Sequence, residues 1–273
     1  MNIGIDAGGT LIKAAYRHED SLELVTFPIA ELVHVASWLN EMQNADICIT
    51  GGKASLLQRH LKQEAREIVE FQASCRGAQY LLEQNHIAEE SYILTNVGTG
   101  TSIHYVDRGV QRRVGGTGIG GGTMVGLSRL LTGLSEYGAI VEAAAGGLRD
   151  RIDLTVGHIY EGGEPPIPGH LTASNFGSVA RSAAERRYRE PELAASVIGM
   201  VGETVATVSV LAAQSCGVST IVFIGSSFIG NDPLKRAVES YTELRGGKPV
   251  FLDKGEYSGA LGALLSDLAD SAW

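Results

Sequence analysis

Asn2-Ile3-Gly4-Ile5-Asp6-Ala7-Gly8-Gly9-Thr10-Leu11-Ile12-Lys13-Ala14-Ala15-Tyr16 is an apolar run broken by one carboxylate, a glycine pair, a threonine and a lysine. Ile3 and Ile5 alternate as in a strand, Gly8-Gly9 permits a tight turn, and Leu11 to Tyr16 continues as a second strand. The stretch predicts a β-hairpin whose turn presents backbone N–H groups outward. Asp6 falls at a strand end, where a carboxylate can hold Mg²⁺ or its waters, and Thr10 and Lys13 can approach phosphate oxygens. A plain hairpin with an incidental aspartate has the same local pattern, so the rest of the chain must decide.

Composition narrows the classes. With 273 residues, 44% hydrophobic and 19% charged, the chain can bury a good core in one large domain or two smaller ones. Its 35 glycines exceed average usage, as expected of many turns and close backbone contacts. A net charge of -9 argues against a nucleic-acid partner, which needs a basic patch. Cys48, Cys75 and Cys216 are scattered, without the paired spacing of a zinc, iron–sulfur or redox site. No apolar run near the length of a membrane span is evident, and the chain starts directly with a strand, so a cytoplasmic protein without a leader is expected.

Outward from the hairpin, the pattern predicts a strand at 22–29, a helix at 31–42, a strand at 46–50, a helix at 54–61, an extended piece at 68–71 and a helix at 73–84. The order then restarts. Residues 91–97 form a strand ending in Gly98-Thr99-Gly100-Thr101, 102–107 its hairpin partner and 110–114 a third strand. A glycine-rich stretch at 115–122 opens a helix at 123–131, and 136–158 reads as mostly helical. Pro165, Pro166 and Pro168 mark a loop. A long apolar helix at 194–215, a strand at 221–224 ending in Gly225-Ser226-Ser227, a helix at 232–244, a strand at 248–252 and a helix at 259–268 complete the chain. Two α/β lobes, 1–88 and 89–273, fit this recurrence better than one doubly wound sheet.

Four glycine turns follow predicted strands, and such turns converge in α/β folds, which favours a nucleotide cleft. Gly98 and Gly100 offer backbone donors, with Thr99 and Thr101 beside them, and Gly120-Gly121-Gly122 can aim amides and a helix N-terminus at an anion. Gly116-Thr117-Gly118-Ile119-Gly120-Gly121 matches Gly-x-Gly-x-x-Gly, with Glu142 where a ribose acid would stand, but it does not open the first βαβ unit. The Walker pattern is absent. Glu70, between Val69 and Phe71, is a candidate general base or a helix-capping acid. Arg112-Arg113 can pair with a carboxylate, stabilise a transferring phosphoryl group, or simply be solvated. His104, His158 and His170 lack metal spacing and read as ordinary polar residues.

The opening motif Gly4 to Lys13, Val69-Glu70-Phe71, Asn96-Val97-Gly98-Thr99-Gly100-Thr101-Ser102, Gln111-Arg112-Arg113-Val114-Gly115-Gly116, Pro165-Pro166-Ile167-Pro168-Gly169 with Leu171-Thr172-Ala173, and Ile224-Gly225-Ser226-Ser227-Phe228 follow one another in an order that resembles the bacterial type II pantothenate kinases of the actin and sugar-kinase superfamily. The resemblance spans nearly the whole chain. It implies an α/β, two-lobed actin-like ATPase (ribonuclease H-like) fold with an ATP cleft between the lobes. It also implies ATP-dependent phosphorylation of pantothenate at its primary hydroxyl, the first step toward coenzyme A. By position it makes Glu70 the general base and gives Arg113 the binding of pantothenate and stabilisation of the transferring group. Asp6 would organise Mg²⁺. Ala7, Gly8, Gly9, Thr10, Leu11, Ile12, Lys13, Thr99, Gly121, Gly122, Thr123, Met124 and Val125 would line the ATP site, with Tyr137 and Ser226 near the adenosine. A homodimer is implied, the proline loop and Tyr241 of one subunit reaching the pantothenate site of the other.

Two positions depart from the family pattern. Asn96 stands where many superfamily members have Asp, which leaves Asp6 as the single metal-organising acid, and Gln72 stands where relatives often have Asp. The alternatives are a sugar kinase of the same fold, a non-catalytic regulator responsive to nucleotide or acyl-CoA, and an ATPase activator with an iron–sulfur cluster, which the scattered cysteines disfavour.

Overall fold

A computed structural model describes residues 1–19, 21–42, 44–181 and 188–266. Its first part runs β1 (Asn2–Ala7), β2 (Leu11–His18), β3 (Ser21–Pro28), α1 (Leu32–Glu41), β4 (Asp46–Thr50), α2 (Ala54–Gln58), β5 (Arg66–Glu67) and α3 (Glu70–Gln84). These strands form a five-stranded sheet of order β3-β2-β1-β4-β5, an antiparallel meander followed by parallel neighbours. Leu32, Val35, Ala36 and Leu39 lie at helical spacing on α1 and join Ile3, Ile5, Ile47 and Ile49 in one buried cluster.

The second part contains β6 (Ser91–Val97), β7 (Thr101–Asp107), β8 (Val110–Thr117), α4 (Gly121–Thr132), α5 (Tyr137–Ala145), β9 (Leu154–Thr155), α6 (Val156–Tyr160), β10 (Thr172–Ser174), α7 (Glu190–Cys216), β11 (Thr220–Ile224), α8 (Asp232–Leu244), β12 (Lys248–Phe251) and α9 (Ser258–Leu264). Read from its antiparallel edge, the second sheet has the order β8-β7-β6-β11-β12, which repeats the first. Residues of α7 fill the core against Ile93, Val97, Ile221 and Phe223.

The two halves exchange helices. The last helix, α9, packs on β1, β2 and β4 of the first sheet. Conversely, Cys75, Ala78, Leu81 and Leu82 of α3 share a cluster with Tyr92, Leu94 and Val106 of the second. Glycine makes the α3–α9 crossing close: a Cβ on Gly77 would lie 1.9 Å from the Ser258 carbonyl oxygen, and one on Gly262 1.8 Å from that of Ala73.

Several expectations need correction. Strand β5 ends at Glu67, and Glu70 opens α3 instead of lying in an extended piece. The 136–158 region is broken, α5 ending at Ala145 before a short 3-10 turn, β9 and the start of α6. The last helix is described to Leu264, and residues 267 and 268 of the expected helix lie outside the described residues. Contrary to the sequence reading, α7 is long and apolar enough to cross a membrane by length and composition, but 72% of its apolar window is buried inside the fold, where it serves as a core helix.

Candidate active site

The turns of the two corresponding hairpins meet over one cleft of about 340 Å³. In the first, the Gly8 N–H donates to the Leu11 carbonyl at 3.0 Å; in the second, Gly98 donates to Gly100 at 2.9 Å. The hydroxyls of Thr10 and Thr99 face each other across the gap at 3.4 Å. Asp6, Gly8, Gly9, Thr10, Leu11, Lys13, Glu70, Thr99 and Ser226 all line this space, so the structure gathers these expected site residues in one place. Asn96, Ser102 and Thr117 line it too. All three stand in or beside glycine motifs of the sequence, but sheet register is what turns Ser102 and Thr117 toward the cleft.

Charge in the cleft is concentrated on one side. Asp6 and Lys13 are direct register partners on β1 and β2, and their charged groups are 3.7 Å apart. Asp6 is wedged between two backbones: a Cβ on Gly51 would lie 2.6 Å from its Oδ1, and one on Gly259 2.7 Å from its Oδ2. Burial pushes the Asp6 carboxyl above its ordinary range, and the Lys13 ammonium partly offsets this. Glu70 opens α3 after the extended Val69. Burial first, then the Asp6 charge, raise the Glu70 carboxyl, while Lys13 opposes the rise. A carboxylate held above its usual range beside a lysine has the character of a general base.

Arg113 is exposed on β8 and does not itself line the cleft, but its guanidinium lies 5.8 Å from the centre of the ring of Phe71, which does. Ala7, Ile12 and Met124 are fully buried and can offer a ligand only backbone. The amides of Gly121 and Gly122, expected to face an anion, donate to the carbonyls of Gly98 and Thr99 at 2.8 and 2.9 Å. They hold the second turn against α4, a contact that side chains would prevent. The Thr123 hydroxyl is similarly engaged, accepting from Gly120 and donating to Gly118, and Val125 packs on the core. Tyr137 stands apart: it lines a separate cavity with Gly138, Val141 and Ile229, and its hydroxyl donates to the Ser227 carbonyl and accepts from Asn231. Burial pushes that phenol up to about 12. Tyr241 accepts the Thr172 N–H at 3.1 Å within the same chain, tying α8 to the segment after the proline loop. His104, read as an ordinary polar residue, is buried against Phe71.

Among the described residues no group of three or more His, Cys, Asp or Glu side chains is arranged around a common point. A lone carboxylate such as Asp6 suits Mg²⁺, which keeps several waters and takes further oxygens from substrate phosphates. The glycine turns and Lys13 likewise fit a phosphate chain.

Paired sheets of the same strand order, with a glycine turn of each facing a shared cleft, define the class: the two-lobed actin-like ATPase (ribonuclease H-like) fold. Solved structures agree on that architecture. An activator of 2-hydroxyisocaproyl-CoA dehydratase from Clostridium difficile with bound ADPNP is similar at a TM-score of 0.62 and 14% identity, over 99% of this chain and 96% of that one. A ROK family glucokinase from Streptomyces griseus in complex with glucose and AMPPNP is similar at 0.53 and 16%, over 99% of both chains. In sequence, the type II pantothenate kinase of Staphylococcus saprophyticus is 44% identical over 97% of this chain and 99% of its own length. The enzyme of the same name from Staphylococcus haemolyticus is 45% identical over the same shares. The Fumble family profile matches residues 19–266. The chain belongs to the Fumble family, among the type II pantothenate kinases.

Proposed function

We propose that the protein transfers the γ-phosphoryl group of ATP to the primary hydroxyl of pantothenate, giving 4'-phosphopantothenate and ADP, the first step of coenzyme A synthesis. The observation that carries the proposal is the position of Glu70. It opens a helix into the cleft shared by both glycine turns, with Asp6 and Lys13 beside it. Family membership supplies the substrate.

The residues divide the work by charge. Glu70 takes the proton as the pantothenate oxygen bonds to the γ-phosphorus and the bond from phosphorus to the ADP oxygen breaks. Lys13 offsets negative charge on the phosphates, and Arg113 holds the acceptor and stabilises the transferring group. Mg²⁺, held through Asp6 and water, would neutralise further phosphate charge when bound. Ser226, in the turn after β11, and Tyr137, hydrogen-bonded to that turn from the neighbouring cavity, would face the adenosine. The lobes are residues 1–88 and 89–273, with α9 crossing back onto the first sheet. In a homodimer, the proline loop and Tyr241 region of one subunit would complete the pantothenate site of the other. A cytoplasmic location goes with this chemistry.

ADP release from purified protein with Mg²⁺-ATP, measured with pantothenate and with a panel of sugars, tests the reading. A pantothenate-dependent rate is expected. A rate with glucose and none with pantothenate would make the protein a sugar kinase, and ATP binding without turnover on any acceptor would make it a regulator.

A further inference from the structure

We infer that His104 is a positioning residue for this phosphoryl transfer, backing the Phe71 ring beside Glu70 and offering its cross-strand neighbour Arg113 an acceptor. The inference rests on the roles proposed above for those two residues. His104 on β7 is the register partner of Arg113 on β8, next to the bulge where the pairing slips between Ile103 and His104. Its side chain is only 2% exposed, and its ring centre is 4.6 Å from that of Phe71. Phe71 follows Glu70 in α3 and lines the cleft, and the Arg113 guanidinium packs over the same ring. One aromatic ring therefore contacts the arginine, is joined by one peptide bond to the base, and is backed by the histidine.

Packing alone does not account for a histidine here. Neither ring nitrogen has a hydrogen-bond partner of normal geometry, although the Gln111 side chain lies close enough to favour the protonated form against the effect of burial. Burial, with the nearby Arg113 charge, holds the imidazole below its ordinary range and so neutral. Two unpaired buried nitrogens cost stability that a leucine of similar bulk would not. A neutral imidazole, however, keeps one unprotonated nitrogen, and a guanidinium carries only donors. In the structure the Arg113 Nη2 lies over Gly116, 2.7 Å from where a Cβ would stand. The histidine nitrogen on the neighbouring strand gives that side chain an acceptor when it moves to engage the acceptor substrate.

The test compares His104→Leu with His104→Gln, which keeps an acceptor. ADP release is measured against pantothenate and against ATP, and unfolding temperature is measured in parallel. The leucine variant is expected to unfold at or above the parent temperature and to keep its KM for ATP. Its kcat/KM for pantothenate should fall by about tenfold or more. The glutamine variant should recover a large part of that loss. A leucine variant with parental kcat/KM overturns the inference, and so does a glutamine variant no better than leucine. A leucine variant that fails to fold overturns it as well, because stability would then explain the residue. A parent without pantothenate-dependent turnover would sink the functional reading itself, whereas an active parent with an indifferent His104 sinks only this inference.

Discussion

The two hairpins that face the cleft, β1–β2 and β6–β7, have corresponding places in their sheets and different chemistry. In the first, Asp6 pairs across the strands with Lys13; in the second, Asn96 pairs with Ser102. Gly51, after β4, presses on Asp6 and Ala7, and Gly225, after β11, presses on Asn96 and Val97 in the corresponding way. The surrounding backbone is thus duplicated, while the charges stand on one side only. Two opposed glycine turns suffice to make a cleft, but a base and a cation placed beside one of them are what make it a candidate for phosphoryl transfer.

Glu70 has no charged counterpart beside the second turn among the residues lining the cleft, so the asymmetry is greatest there. Glu70→Gln should lower kcat by about 10²- to 10⁴-fold while ATP binding, followed by titration, stays near parental. An exchange of the paired positions comes next. Asp6→Asn, which makes the first hairpin like the second, should cost about a hundredfold or more in kcat, whereas Asn96→Asp should stay within about tenfold of parent. Equal losses would mean that the asymmetry is not functional.

Glycine substitutions separate scaffold from chemistry. Gly225 has φ 113° and ψ 159°, a conformation nearly confined to glycine. Gly51 has φ +95°. Alanine at either should cost about 1–3 kcal/mol or more in denaturant unfolding. Gly51→Ala should also depress turnover disproportionately, because its Cβ would stand 2.6 Å from the Asp6 carboxylate oxygen.

The pH profile is a smaller effect with a definite sign. Burial and the Asp6 charge raise Glu70, so the acid limb of kcat/KM should lie above an ordinary glutamate's. Removing the Asp6 charge in Asp6→Asn should move that limb to lower pH, measurable on residual activity. The smallest effect belongs to the contact between the turns. Thr99→Val removes one partner of the exposed 3.4 Å approach to Thr10 and should change stability by less than about 0.5 kcal/mol and the KM for ATP by less than about threefold.

Much of this was readable before folding. The alternation around Ile3 and Ile5, the glycine pair and the second strand–glycine–strand unit at Asn96 specify local geometry through backbone sterics and period, which neighbours in sequence control. The amphipathic spacing of α1 did the same. What the local pattern does not carry shares a cause. Thr155 to Tyr160 form a strand end and a helical turn because β9 pairs with β10 from beyond the proline loop, and nothing in the local period records that partner. Gly121 and Gly122 look like an anion cradle in sequence, but their amides are spent on the carbonyls of the second turn. His104 carries no motif, and its place against Phe71 depends on a strand bulge and a helix docked from elsewhere in the chain.

The duplicated strand–glycine–strand units follow from the amino-acid sequence alone, because turn chemistry and side-chain period act over a few residues, and the order of its motifs carries the family resemblance. Tertiary structure alone decided how those units became a site. The α3–α9 exchange sets Gly259 against Asp6 and, by placing α3, brings Glu70 to the same cleft, and sheet register sets Lys13 opposite Asp6 and His104 opposite Arg113. Electrostatic and packing energies depend on separations of a few ångströms, and only the folded chain fixes those.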